Sequence, residues 1–193
     1  ADKTKQAFQA RFYNKDSGSY GDGGGDIFAL KMGVPDEQYE KVVSALRKNI
    51  SANGGHLDTG IFGTRFFFEV LADHGMNDLA FEAMNKTTKP SFGHWIELGS
   101  TTTREQWDED GSHNHPMFGG GLVWFYRNLA GMRYDEAAPG YRHIIFKPQP
   151  VPQVNATTYM LQTSYGEAGV EWKLNDANFE MNVTIPVGCT ATV

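Results

Sequence analysis

The sequence has one cysteine, Cys189, so a disulfide within the chain and a thiolate metal cluster are both excluded. It has no surplus of positive charge. Lys and Arg total 17 against 23 Asp and Glu, a net charge of −6, and no basic cluster stands out. That balance argues against nucleic acid and against an anionic membrane surface as partners. No apolar run approaches the roughly 18–20 residues of a membrane-spanning helix. A secretion-signal pattern is also missing from the start, Ala1-Asp2-Lys3-Thr4, which leaves the compartment open. The nucleophile elbow GxSxG, the phosphate loop GxxxxGK[ST], the zinc motif HExxH and CxxC are all absent. Residues 21–25 are rich in glycine, but they lack the lysine and the strand-to-helix setting of a phosphate loop.

What is present is ordinary globular composition, 40% hydrophobic and 21% charged over 193 residues. Aromatic residues reach 13% and there are 22 glycines. Such a mixture suits loops shaped around a ligand, and equally a core that is simply aromatic. The patterns before residue 135 are helical. Ala7, Phe8 and Phe12 share a helical stripe over residues 2–12, and residues 18–25 read as a glycine-rich loop with Tyr20 and Asp22. Pro35-Asp36-Glu37 opens a helix with Tyr39, Val42, Val43, Leu46 and Ile50 on one face. Residues 60–74 and 116–130 are apolar all round, the mark of helices buried on several sides. Gly75 is the expected C-cap of the first of these. Shorter helices are expected from Asn77 and from Ser91. One-sided helices alternating with fully buried ones predict two concentric helical layers, or a plain bundle. From Pro139 the period moves toward two. Strands are expected over 141–147, 157–165, 169–174 and 179–185, with turns at Gly166 and at Asn175-Asp176. The fold class is therefore mainly α with a β tail.

Reactive side chains are densest in residues 99–115. If residues 101–107 are extended, Thr103, Glu105 and Trp107 fall on one face and Thr102, Arg104, Gln106 and Asp108 on the other. A carboxylate beside an indole suits a sugar site, since the ring stacks on a pyranose face and the carboxylate accepts from a hydroxyl or from water. The alternative is a loop in which Glu105 pairs with Arg104 or with solvent. Asp108, Glu109 and Asp110 read as a solvated turn. His113 and His115 alternate as metal ligands do, but no third ligand is near, so no metal is expected. His115 precedes Pro116 and is placed to offer its imidazole at a helix start. A second cluster, residues 54–60, holds His56, Asp58 and Thr59. Either Asp58 or Thr59 caps the following helix, or His56 and Asp58 face a pocket shared with Glu105 and bind substrate.

Together, His56-Leu57-Asp58-Thr59-Gly60-Ile61-Phe62-Gly63-Thr64, Lys89-Pro90-Ser91-Phe92-Gly93, Gly99-Ser100-Thr101-Thr102-Thr103-Arg104-Glu105-Gln106-Trp107-Asp108, Ser112-His113-Asn114-His115 and Pro139-Gly140-Tyr141 form an ordered series. The series resembles the C-terminal half of the catalytic region of bacterial α-L-rhamnosidases, glycoside hydrolase family 78. The resemblance implies half of an (α/α)6 barrel over residues 1–138 and the start of a truncated C-terminal β-sandwich over residues 139–193. It implies an inverting hydrolase of terminal α-L-rhamnosyl residues in which Glu105 is the general base, His115 touches rhamnose and Trp107 walls the site. Arg104 and Phe92 depart from the family, where aromatic residues and tryptophan are commoner at those places. The family's general acid lies further N-terminal, so it is expected upstream of Ala1. On that expectation the chain is a fragment with negligible activity of its own, and Phe62, Phe66 and Trp124 are left uncovered so that it self-associates. No cofactor is implied. The partner is a rhamnose-containing glycan or glycoside, and the family suggests a periplasmic or secreted setting. A non-catalytic carbohydrate-binding or structural module, or another (α/α)-barrel glycosidase, stands as the alternative.

Overall fold

The computed structural model describes residues 1–22, 24–108, 110–175 and 178–193. The chain divides into two compact units, Ala1–Gly121 and Leu122–Val193.

Among its described residues the first unit carries six α-helices: α1 (Asp2–Phe12), α2 (Gly25–Met32), α3 (Asp36–Ala52), α4 (Ile61–Asp73), α5 (Asn77–Met84) and α6 (Phe92–Glu97). Helix α3 behaves as its stripe predicts, burying Val42, Leu46 and Ile50 while its charged face stays in water. Helix α4 packs against both α2 and α5 and buries Phe67, Phe68, Val70 and Leu71. It is not covered all round, however, because Phe62 in its first turn is 67% exposed. The N-cap of α6 is Ser91, whose Oγ accepts from the His94 amide at 3.0 Å. Helix α2 departs from the sequence expectation. Its Asp26 and the glycines before it read as loop, yet Ile27, Ala29 and Leu30 are buried and hold the short helix in place.

Residues 116–130 do not form one α-helix. Pro116–Leu122 is a 3-10 helix and Phe125–Leu129 a π-helical turn. The reason lies in Gly119-Gly120-Gly121, which weakens α-helix formation and allows close packing. A methyl group at Gly121 would sit 2.9 Å from the ring of Phe68.

The second unit contains β1 (Met132–Tyr134), β2 (His143–Phe146), β3 (Ala156–Thr163), β4 (Gly166–Asn175), β5 (Asn178–Thr184) and β6 (Thr190–Thr192). Strands β3, β4 and β5 form an antiparallel meander, with Tyr159 opposite Val170 and Val170 opposite Val183. The other sheet runs β1-β2-β6. Its β2–β6 pair is parallel, which the strand pattern does not suggest. The short β1 and β6 also lie outside the expected strands, and β1 begins before Pro139. Gly166 opens β4, and the turn falls at residues 164–165. The expected turn at Asn175-Asp176 extends outside the described residues at Asp176. Trp172 is fully buried and donates its indole N–H to the Leu129 carbonyl at 3.0 Å. Trp124 is buried too, so its place in an uncovered apolar patch is corrected. No described helix is long and apolar enough to cross a membrane.

Candidate active site

The segment after α6 is an irregular double-stranded loop. The Glu105 amide donates to the Ser112 carbonyl at 2.9 Å, and the His115 amide to the Thr103 carbonyl at 2.8 Å. Thr103 Oγ1 donates back to the His115 carbonyl at 2.6 Å, and Thr102 Oγ1 donates to the carbonyl of His113. These rungs hold residues 102–105 against residues 112–115 without the regular ladder of a strand. Bends at residues 105–108 therefore cancel the expected alternation. Glu105, Gln106, Trp107 and Asp108 all line one hollow of ≈ 390 Å³, with Gly60, Ile61 and Phe118.

The back of this hollow is aromatic. Trp107 stacks on Trp95 with centroids 4.4 Å apart and packs against Phe118 at 4.3 Å. Phe92 meets Trp107 edge-on at 5.5 Å. The Trp107 indole donates to the Thr59 carbonyl at 2.7 Å, tying the loop to the entrance of α4. Trp107 is thus both a wall and an anchor. Trp95 and Phe118 do not stand out in the sequence, and Ser112 does so only as the first residue of a motif, with no sign of its contact to Glu105. Aromatic residues at helical spacing look like core, and a serine acting through its backbone leaves no sequence signal.

Glu105 is half-buried. Its Oε2 accepts from the Ser112 amide at 3.0 Å. Among the described residues its other oxygen takes no hydrogen bond. Arg104 does not pair with it. The Arg104 side chain is buried, and its Nε donates to Ser100 Oγ at 2.9 Å. At the rim, Asp108 is ion-paired with Lys89. Asp108 and Asp110 are exposed, as a solvated turn requires, while Glu109 lies outside the described residues.

The other expected site residues are placed differently. His115 is half-buried at the start of the 3-10 helix, and its Nδ1 accepts from the Met117 amide at 3.4 Å. With Nδ1 accepting, the neutral ring carries its proton on Nε2 and can donate there. His56 is a local brace. Its ring reaches the Asn53 carbonyl at 3.2 Å through Nδ1 and Thr88 Oγ1 at 2.8 Å through Nε2. Asp58 is exposed and lines a separate hollow with Asp22, Asn49 and Asn53. Neither His56 nor Asp58 lines the Glu105 hollow. Hydrogen bonds to Asn53 and Thr88 hold His56 as a brace, and Asp58 opens onto the hollow near α3.

Asp26, which reads only as part of the glycine-rich loop, is the most buried carboxylate among the described residues of this unit. Its two oxygens accept from the Tyr20 amide at 2.6 Å and from Ser19 Oγ at 2.9 Å. Burial pushes its carboxyl above the ordinary 3.8, against the pull of those two donors. The neighbouring Asp22 and Asp58 charges add to the rise.

Residues 1–129 match the bacterial alpha-L-rhamnosidase 6 hairpin glycosidase domain, and residues 131–193 match the bacterial alpha-L-rhamnosidase C-terminal domain. The chain belongs to the bacterial α-L-rhamnosidase family. It is 30% identical over 204 residues to an alpha-L-rhamnosidase of Streptomyces avermitilis, covering 99% of this chain and 20% of that protein. It is also 30% identical over 201 residues to an alpha-L-rhamnosidase of Formosa agariphila, covering 100% of this chain and 21% of the relative. The solved alpha-L-rhamnosidase of Dictyoglumus thermophilum superposes with a TM-score of 0.89 at 35% identity, over 97% of this chain and 22% of that one. The Streptomyces avermitilis enzyme complexed with L-rhamnose superposes at 0.88 with 28% identity, over 98% of this chain and 20% of its own length. The chain thus spans about a fifth of the length of these relatives.

Proposed function

We propose that this rhamnosidase-family chain supplies the general-base side of an inverting α-L-rhamnosidase site, with Glu105 as the base. The observation that carries the reading is the state of Glu105. It is half-buried in a sugar-sized hollow backed by Trp107 and Phe118, with one oxygen held by an amide and the other uncommitted among the described residues. In the proposed step, Glu105 takes a proton from water as the water oxygen bonds to the anomeric carbon. The glycosidic C–O bond breaks, and its oxygen takes a proton from a general acid on the opposite face of the ring.

An inverting pair needs carboxyl groups roughly 6.5–9.5 Å apart to admit that water. Asp108 shares the hollow but is exposed and tied to Lys89, and Asp26 has both oxygens occupied by its own loop. We assign the acid to a segment outside these 193 residues, in keeping with relatives about five times as long. The six helices are read as part of the (α/α)6 barrel that the six-hairpin family implies. His115, with its ring proton on Nε2, is assigned to a rhamnose hydroxyl.

The test uses an aryl α-L-rhamnoside and the complete enzyme polypeptide that carries this chain. Glu105→Gln lowers kcat by about 10²–10⁴-fold with the fold intact, and NMR of the first product shows the inverted anomer. Wild-type turnover by the Glu105→Gln enzyme would refute the assignment. So would brisk turnover by the isolated 193-residue chain, since it would place the acid inside the chain.

A further inference from the structure

The loop opposite Glu105 does more than close a turn. Ser112 bonds Glu105 twice: its carbonyl accepts from the Glu105 amide at 2.9 Å, and its own amide donates to Glu105 Oε2 at 3.0 Å. Ser112 Oγ in turn accepts from the Asn114 amide at 3.2 Å, which fixes the turn from the other side. Immediately before it, Gly111 has φ +82, a conformation that L side chains rarely adopt. A methyl group there would lie 3.2 Å from Glu105 Oε2 and 3.4 Å from Glu105 Cβ. Glycine at 111 therefore suits both the backbone turn and the tight space beside the carboxylate.

We infer that the Gly111-Ser112 turn is a positioning clamp that fixes the direction of the Glu105 carboxylate and makes Oε1 the oxygen that receives the proton. The physical case is conformational. A glutamate side chain keeps several rotamers in a half-open hollow, and fixing it costs entropy. A base must lie within hydrogen-bond reach of the proton it removes, and small displacements carry large rate penalties. The Ser112 amide occupies Oε2 and the missing Cβ of Gly111 leaves room for it, so the remaining oxygen is set by the backbone. Ser112 contributes through its amide, and its side chain only braces the turn.

This inference rests on Glu105 being the base, and the test separates the two. In the complete enzyme, Gly111→Ala lowers kcat by about 10- to 100-fold and leaves KM within about twofold. Gly111→Asn, the side chain that tolerates positive φ best, melts above Gly111→Ala and shows the same kcat loss, because its Cβ still crowds Oε2. Ser112→Ala, which keeps the amide, retains kcat within about threefold, since surface hydroxyl losses away from the chemistry are small. The deciding measurement is a double-mutant cycle. Added to Glu105→Gln, Gly111→Asn lowers kcat by less than about twofold, as expected if it acts only through Glu105. Full wild-type kcat in both Gly111 variants would overturn the clamp, as would an equal loss from Gly111→Asn in the wild-type and Glu105→Gln backgrounds. Wild-type activity in Glu105→Gln itself would instead overturn the assignment of the base.

Discussion

Asp26 and Glu105 are two carboxylates of the same helical unit, and their surroundings separate structure from chemistry. Asp26 is sealed inside the unit with each oxygen matched to a donor, the Tyr20 amide and the Ser19 hydroxyl. Burial leaves it no open face toward a substrate, and it ties the glycine-rich loop to the first turn of α2. Glu105 is half-buried, meets a single amide and lines an aromatic-backed hollow. A carboxylate sealed from solvent with a donor on each oxygen holds a fold together. One that is oriented but left with an open oxygen can take a proton.

The contrast is tested most severely at the apolar wall behind Glu105. Trp95 is buried between Phe92, Trp107 and Phe118. Trp95→Ala is expected to destabilise the chain by about 3–5 kcal/mol in urea unfolding and to loosen the hollow. A loss below about 1 kcal/mol, the size typical of ordinary substitutions, would show that the ring cluster does not support the site. The next effect concerns the two carboxylates directly. Asp26→Ala leaves a buried amide without its acceptor and should cost about 1–3 kcal/mol. Glu105→Ala should stay within about 0.5 kcal/mol of wild type. Equal losses would erase the distinction between them.

The smallest effect is in pH. Because burial raises the folded value for Asp26 above its ordinary 3.8, the contribution of this group to stability is fully present below 3.8. It is lost as pH rises through the elevated folded value. Unfolding midpoints of wild type should therefore fall relative to Asp26→Asn as pH is raised from about 4 toward 7. Parallel midpoints across that range would show that the ionised carboxylate is no burden in its pocket.

Much of the site could be read along the chain because its key groups are close in sequence. Glu105, Trp107 and the Asn114-His115 pair stand within one short loop, and the ordered motifs pointed to the rhamnosidase family that the comparisons then showed. Helices α3 and α4 were legible from their apolar periods, and β2 to β5 from alternation and turn residues. The misses share a cause. The helix expected over residues 116–130 fails where three consecutive glycines weaken it and two of them, Gly120 and Gly121, admit Arg65 and Phe68 at close range. The pairing of β2 with β6 joins residues nearly fifty positions apart, which no local period reports. The cluster around His56 read as a helix cap or as a pocket lining, and the structure instead sets Thr88 beside the His56 ring.

Residue order alone settled the helical and strand periods, the family, and the choice of Glu105 as the residue to test, since all of these are local patterns or ordered motifs. Folding in three dimensions was needed to pin Trp107 to Thr59, to set His56 and Asp58 outside the hollow, and to bring the Ser112 amide onto one oxygen of Glu105. Those facts depend on which backbone groups meet across loops. Hydrogen bonds of that kind are fixed by packing in space and leave almost no mark on residue identity.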